Sequence, residues 1–190
     1  MAELPFDPAK LDAQGRAICD SMAAQRASQG THLAGPYLAL MNHPKLCQRI
    51  EELGFYLKFE GHLPREIYEF VVLAVARETK AGFMWADHVK HARAAGIPEP
   101  VLEALRASGV SHTDFPDPYR AAALLLRSTL PWQDIPSDVQ SNAIRQYGMY
   151  SLIEIVVLSG FYQMFAAINQ GFAVALPPGV EAPFPPIGAP

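Results

Sequence analysis

Apolar residues recur along most of the chain at intervals of three and four positions, which is the spacing of one face of an α-helix. No stretch shows the sustained alternation of apolar and polar residues that indicates strands. The pattern predicts an all-α fold, a single-domain helical bundle over residues 1–176. Residues 177–190 are rich in proline and lack a helical pattern, so we expect a tail that is either mobile or extended across a neighbouring subunit.

Proline and glycine mark where the predicted helices begin and end. We expect the first helix to be closed by Gly30, a loop at residues 32–36, a break at 80–82 and an N-cap at Ser137. The predicted helices span residues 11–28, 44–59, 64–79, 83–95, 98–107, 119–130, 137–147 and 150–172.

One short run of residues occurs twice. Glu69-Phe70-Val71-Val72-Leu73 recurs 85 residues later as Glu154-Ile155-Val156-Val157-Leu158. Either the bundle contains two copies of one helical unit, of which only the first kept a histidine, or short runs of this composition coincide by chance. The sequence leaves both interpretations open.

Composition and charge limit the classes of partner that this chain can be expected to bind. The net charge of −4 and the lack of a basic run argue against nucleic acid. Only 18% of the residues are charged, which suggests that other subunits cover part of the surface. The N-terminus lacks the pattern of a signal peptide, so we expect a cytoplasmic protein. Residues 152–176 are very apolar, but polar side chains recur through them, which favours a core helix over a membrane span.

The two cysteines fit no redox or zinc pattern. Cys19 and Cys47 are 28 residues apart, unlike the members of a Cys-x-x-Cys or zinc-binding motif. Free cysteines are usually small buried apolar residues, and this is the favoured interpretation. A disulfide between them stays open, because spacing alone does not set its geometry.

The most informative positions are an acid and a histidine on successive predicted helices. Glu69 is the single charge in the apolar run 67–76, where a carboxylate has to find partners or stay protonated. His88 follows on the next helix, and imidazole exchanges protons near neutral pH. The two side chains are candidates for a proton-transfer pair. The alternatives are a core histidine and an acid that is capped by Arg65 or Tyr162.

Other titratable residues are assigned structural roles. We expect Glu154 to form a packing ion pair with an arginine such as Arg145. His43 and His62 lie by turns and are expected to be solvated. His91 follows the candidate histidine by three residues, but no third ligand stands at a fitting position, so no metal site is expected.

Residues 64–77 and 83–97 resemble the carboxymuconolactone decarboxylase family, which includes alkyl hydroperoxidase D. Thiol-containing members carry a glutamate, then Cys-x-x-Cys, then a histidine four residues on. Glu69 and His88 match the glutamate and the histidine. The resemblance implies a helical fold of the alkyl hydroperoxidase D type and a homo-oligomer, commonly a trimer or a hexamer.

Both cysteines of that pattern are missing. Ala81 and Met84 stand in their places, and Phe83 stands where the hydroperoxidase has a further histidine. Peroxide reduction in the resembling enzyme needs one thiolate to attack and a second thiol to resolve the product. We therefore expect no thiol peroxidase or disulfide reductase activity. A peroxidase working through Cys19 or Cys47 is the residual alternative.

The chemistry that remains is proton transfer without a cofactor. His88, supported by Glu69, suits lactone decarboxylation or a related lyase step in which an enolate is protonated at carbon. The resemblance implies a small lactone or ring-cleavage product of aromatic compound catabolism as the substrate. The alternative is a non-catalytic small-molecule-binding or assembly protein of the same fold.

Several residues are candidates for contact with that substrate. The aromatic ones suit the wall of an apolar pocket, although aromatic residues at helical spacing more often belong to an ordinary core. An anionic substrate also needs cations near the histidine. The candidate substrate-binding residues are Phe83, Met84, Trp85, Asn42 and Arg65, with Arg77 and Arg93 as further cations.

Overall fold

Nine α-helices account for most of the residues that the computed structural model describes, which are 3–28 and 32–184. No β-strand occurs in these two ranges, so the all-α prediction is confirmed. Short 3-10 turns lie at Pro8–Lys10 and Gly109–Ser111. The helices are α1 (Ala13–Ser28), α2 (Pro36–Leu40), α3 (Pro44–Phe55), α4 (Arg65–Glu78), α5 (Gly82–Ala94), α6 (Glu99–Ser108), α7 (Tyr119–Thr129), α8 (Ser137–Tyr147) and α9 (Met149–Gly171).

The predicted helix over residues 44–59 changes its hydrogen-bonding pattern before its end. Its α-helical part stops at Phe55, and Tyr56–Glu60 form a π-helical turn. Such turns are rare and frequently lie at functional sites. Here the π turn is followed by the short connection that leads into α4.

Other helix ends differ from the predicted ones. The predicted loop at 32–36 gives way to a helix at its last residue, because Pro36 opens α2. Ser137 is the first residue of α8, and Pro136 holds the N-cap position in its place. The stop predicted at Gly30 lies outside the described residues.

The centre of the bundle is α4. Its residues 67–76 are all buried. Helices α5, α7 and α9 pack around it, so it needs apolar residues on every face and not only on one stripe. This is why the run shows no helical alternation with polar residues, and why its one acid, Glu69, lies inside the protein.

The second copy of the repeated run lies in α9, which packs along α4. Within the described ranges, α9 is the one helix long and apolar enough to cross a membrane, and half of its apolar stretch is buried in the protein. Glu69 and Glu154 are both buried. However, α4 ends at Glu78, whereas α9 continues unbroken to Gly171. The duplication therefore stays a prediction.

The C-terminal tail packs on its own chain as far as Phe184. The ring of Phe184 is buried and meets the Trp85 ring edge to face, with centroids 5.2 Å apart. The cationic groups of Arg77 and Lys80 lie over the same ring, at 5.6 and 5.8 Å from its centroid. The prediction of a mobile tail, or of one extended across a neighbouring subunit, is wrong for this part. Residues 185–190 lie outside the described ranges.

Candidate active site

Glu69 and His88 meet where α5 folds back on α4. His88 Nδ1 lies 2.8 Å from Glu69 Oε2. The Glu69 side chain is fully buried, and His88 is 8% exposed. The structure thus brings together the two residues for which the sequence predicts proton transfer, with the imidazole between the carboxylate and the little surface that reaches solvent.

Arg65 contacts the other oxygen of the same carboxylate. Its Nη2 lies 2.5 Å from Glu69 Oε1, one helical turn away on α4. Burial opposes ionisation of Glu69, but the hydrogen bond to His88 and the positive charges of His88, Arg65 and Lys58 outweigh it and lower the pKa of the carboxyl. The ionised carboxylate accepts a hydrogen bond from His88 Nδ1–H. The imidazole then has Nε2 free to meet a ligand.

Two tyrosines form the wall behind the imidazole. The Tyr162 ring, on α9, stands perpendicular to the His88 ring with centroids 5.2 Å apart. The Tyr162 hydroxyl shares a hydrogen bond of 2.7 Å with the hydroxyl of Tyr68. Tyr162 therefore does not cap Glu69, as one interpretation of the sequence suggested. Of the two proposed caps, the structure shows Arg65 in contact with the acid.

Lys58 adds a positive charge near the pair. It lies on the π turn, where its carbonyl oxygen accepts a hydrogen bond of 3.3 Å from Arg65. Burial and the charge of Arg65 lower the pKa of Lys58, and Glu69 acts in the opposite direction. None of the ion pairs among the described residues includes Lys58. Glu69 thus neutralises Arg65, whereas Lys58 has no carboxylate partner in the described part of the chain.

His91 lies one turn after His88 on α5. The two rings are 6.0 Å apart. Burial and the charge of Lys58 lower the pKa of His91. The same lysine charge thus acts on both His91 and Glu69. Within the described part of the chain, no group of three or more His, Cys, Asp or Glu side chains is arranged to hold a metal ion.

A solved structure has a similar arrangement of helices over most of this chain. It is a protein from Agrobacterium tumefaciens, described as of unknown function and suggested to be an antioxidant defence protein, AhpD. The TM-score is 0.62, over 75% of this chain and 96% of that chain, at 19% sequence identity. This chain has the alkyl hydroperoxidase D-like fold. No protein-family model and no curated protein matches it.

The positions that hold cysteines in the resembling thiol enzymes are buried here. Ala81 is the N-cap of α5, and Met84 follows on its first turn. Neither side chain carries a thiol, so the site offers imidazole, carboxylate and cationic groups.

Phe83 and Trp85 are fixed by packing on either side of Met84. Gly35 has φ +57°, and a Cβ there would overlap the Phe83 ring, so only glycine fits at this close approach. Trp85 is buried against Phe184 of the tail. The aromatic residues thus tie the start of α5 to the segment before α2 and to the C-terminal tail.

The remaining candidates for substrate binding have other partners. The Asn42 amide donates to the carbonyl oxygens of Pro5, Leu38 and Ala39 and makes no hydrogen bond with the pair. The other two candidate cations are engaged elsewhere, Arg77 with the carbonyl oxygens of Arg106 and Ala107 and Arg93 with the carboxylate of Glu99.

Glu154 has a different partner from the one predicted. Its carboxylate accepts hydrogen bonds from the backbone N–H groups of His62 and Leu63 and lies 3.0 Å from His62 Nδ1. Arg145 instead bonds Asn142. The predicted pair with Arg145 is therefore wrong, and His62 is not simply solvated. Glu154 fixes the connection between the π turn and α4.

Neither cysteine belongs to the site. Cys19 on α1 and Cys47 on α3 are both buried and free, so the prediction of small buried residues is confirmed. Burial, and then the charge of Glu51, raises the pKa of Cys47 to about 12. Burial and the charge of Asp20 also raise the pKa of Cys19. Thiols with raised pKa values are poor nucleophiles.

Two surface cavities lie away from the pair. One of about 440 Å³ lies between α1 and the start of α3, and one of about 840 Å³ runs along α9. Neither is lined by Glu69 or His88, nor by the predicted pocket residues Phe83, Met84 and Trp85.

Lys58 and the Tyr68–Tyr162 contact were not found from the sequence. Lys58 stands alone among aromatic neighbours in Tyr56-Leu57-Lys58-Phe59, and that pattern was the available signal. The tyrosines are 94 residues apart, and no spacing rule connects residues so distant in the chain.

Proposed function

We propose that this chain is a cofactor-free lyase of the decarboxylase-like kind, in which His88 transfers a proton to or from carbon. Glu69 orients the imidazole of His88 and stabilises its protonated form. The observation that carries the proposal is the 2.8 Å contact between His88 Nδ1 and the buried Glu69 carboxylate. A carboxylate in this position selects the tautomer that leaves Nε2 for the substrate, and it stabilises the imidazolium that forms on proton uptake.

The proposed step is decarboxylation of an unsaturated lactone that carries a carboxylate on its ring. The carbon–carbon bond to the carboxylate breaks, carbon dioxide leaves, and the electron pair passes to the ring carbonyl as an enolate. His88, which enters this step as the imidazolium that Glu69 stabilises, then delivers the proton on Nε2 to the ring carbon and is left neutral. It regains a proton from solvent for the next turnover. We assign to Lys58 the attraction of the substrate carboxylate and of the negative enolate, because its charge is one of those that lower the pKa of the Glu69 carboxyl.

The alternative is a small-molecule-binding or assembly protein of the same fold that performs no chemistry. The observation in its favour is that both surface cavities lie away from His88. A thiol peroxidase is not supported, because the two positions of the thiol pattern are Ala81 and Met84. The two proposals differ in whether His88 is needed for turnover or only contributes to packing.

The deciding experiment follows 4-carboxymuconolactone by ultraviolet absorbance with the wild-type protein, His88→Ala and Glu69→Gln. We expect His88→Ala to lower turnover by about a hundredfold or more while circular dichroism shows a retained fold. Lys58→Met is expected to raise KM more than it lowers kcat, because it removes an attractive charge and no proton carrier. His112→Ala, which removes a histidine that packs on Phe115, is the matched control.

Unchanged turnover in His88→Ala would remove the histidine from the mechanism. A wild-type protein that is inactive on this lactone rejects that substrate, and less polar ring lactones are then tested with the same variants. Ligand binding that persists in His88→Ala, without turnover in any variant, would favour the non-catalytic alternative.

A further inference from the structure

Glu154 on α9 is a buried acid that the proposed reaction does not use. Its side chain is 8% exposed, and among the described ion pairs it takes part in one, with His62 Nδ1 at 3.0 Å. A carboxylate withdrawn from water needs hydrogen-bond donors around it. Here the donors come from one short segment, the connection between the π turn and α4.

The connection cannot satisfy its own backbone donors. Gly61 N–H bonds back to the first carbonyl of the π turn at 2.8 Å. The N–H of His62 lies 2.8 and 3.0 Å from the two oxygens of Glu154, and the N–H of Leu63 lies 3.0 Å from Oε2. Pro64 has no N–H. Glu154 therefore accepts from both N–H groups of the connection that would otherwise lack a partner.

Gly61 packs directly on the same carboxylate. A Cβ at this position would lie 3.1 Å from Glu154 Oε2 and 3.3 Å from Cδ, so the acid or the connection would have to move. The backbone of Gly61 has φ −69°, which any residue adopts. The close approach, and not the backbone conformation, is thus the reason for glycine here.

The connection joins two cations near the candidate active site. Lys58 precedes it on the π turn, and Arg65 follows it as the first residue of α4. Arg65 Nη1 donates to the carbonyl oxygen of Lys58 at 3.3 Å, and Nη2 lies 2.5 Å from Glu69 Oε1. Glu69 in turn contacts His88. The segment that Glu154 holds therefore leads directly to the groups around the proton-transfer pair.

We propose that Glu154 is a positioning residue, which holds the connection so that Lys58 and Arg65 stay beside the Glu69–His88 pair. It acts from the far side of the connection and touches no reacting atom. The inference deepens the proposed function and rests on it for the effect on turnover. The placement of Lys58, however, can be measured without any substrate.

His91 serves as the reporter of where Lys58 lies. Burial and then the charge of Lys58 lower the pKa of His91, and His88 acts in the same direction. The charges of Glu69 and Asp87 raise that pKa. If the connection shifts, Lys58 moves with it and the pKa of His91 rises. The direction is diagnostic, because loss of an acid would by itself lower the pKa of a nearby histidine.

The first test is a proton NMR titration of the His91 ring, assigned with His91→Gln. We expect Glu154→Ala to raise the pKa of His91, and Glu154→Gln to leave it near the wild-type value, because the amide keeps an oxygen that can accept both N–H groups. In a Lys58→Met background, Glu154→Ala should have no further effect, since the charge is already gone. Glu103→Ala, which removes an exposed acid on α6, is the control for the loss of one charge.

Gly61→Ala disturbs the same contact without removing the buried acid. The side chain of Leu63 packs partly buried against the core, so the connection keeps that contact when Glu154 is lost. We expect Gly61→Ala to raise the pKa of His91 in the same direction but by less. A pKa of His91 that is unchanged or lower in folded Glu154→Ala would overturn the proposal, and Gly61→Ala decides in the same way if Glu154→Ala does not fold.

The second test uses turnover of 4-carboxymuconolactone. We expect Glu154→Ala to raise KM by about threefold or more with a smaller change in kcat, and Lys58→Met to be no worse when Glu154→Ala is added to it. Fully additive losses in the double variant would overturn the proposal, because the two residues would then act independently. A wild type without turnover would count against the proposed function alone, and the His91 titration would still decide the role of Glu154.

Discussion

At the scale of single residues, the site depends on one carboxylate kept ionised inside an apolar helix. Glu69 was recognisable in the sequence because it is the one charge among ten residues that are otherwise apolar or aromatic. Its role there follows from two contacts, Arg65 on one oxygen and His88 on the other. The histidine came from the family resemblance, since a lone histidine on a helix is usually part of the core.

The lowered pKa of Glu69 makes stability depend on pH. The unfolded chain binds the proton of this carboxyl more readily than the folded protein, so the stabilisation is complete above about pH 4.3 and is lost as pH falls further. We expect the free energy of unfolding, measured with urea from pH 7 to pH 3, to fall more steeply for the wild type than for Glu69→Gln.

Glu103→Gln removes an exposed acid and is the control for the general effect of acidification. Curves of equal slope for the wild type and Glu69→Gln would contradict a lowered pKa at Glu69.

The contacts that the sequence did not indicate join residues far apart in the chain. Tyr68 and Tyr162 share a hydrogen bond across 94 residues, and Glu154 accepts from His62 across 92. Spacing rules describe neighbours on one helix, so they suggested Arg145 for Glu154. Only the packing of α9 against α4 decides which side chains meet across the bundle.

At the scale of elements, most helices were predictable because glycine and proline delimit them. The stop at Gly148 agrees with the sequence, since it closes α8 with φ +84°. The π turn at Tyr56–Glu60 was not predictable, because its residues continue the apolar pattern of α3 and differ only in their hydrogen bonds. That turn carries Lys58, so the apolar pattern indicated neither the π turn nor the lysine on it.

The tail contact gives a prediction that fluorescence can check. In a Trp132→Phe background the emission comes from Trp85, which is buried under Phe184. We expect Phe184→Ala to shift that emission to longer wavelength and to increase its quenching by acrylamide, with a loss of stability of up to about 3 kcal/mol.

Val180→Ala changes an exposed residue of the same tail and should leave the emission as it was. An unchanged Trp85 signal in Phe184→Ala would show that the tail does not cover this ring in solution.

At the scale of the whole molecule, the low charge fraction has two structural causes. One is α4, which is enclosed on all sides, and the other is α9, in which Glu154 is the one charged residue. The low charge fraction suggests that part of the surface is covered, but it does not show which helix carries that part. An apolar run has the same composition whether a helix of its own chain or a second chain covers it.

The same enclosure predicts how the two thiols react. Both cysteines are buried with raised pKa values, that of Cys47 at about 12. We expect Ellman's reagent to titrate no thiol within minutes in the native protein and two per chain in guanidinium chloride. Rapid reaction of one thiol in the native state would show an open path to Cys19 or Cys47.

The replacement of both thiol positions by Ala81 and Met84 has a consequence for what the protein needs from its surroundings. A site built from imidazole, carboxylate and ammonium groups exchanges protons with water, which is always present, and has no thiol to be reduced again after each cycle. The proposed lyase reaction therefore has no step that a thioredoxin-like partner would supply, and we expect its rate to be the same in reducing and in oxidising buffers. Where a dithiol enzyme stops once its reductant is exhausted, this site would continue for as long as substrate remains.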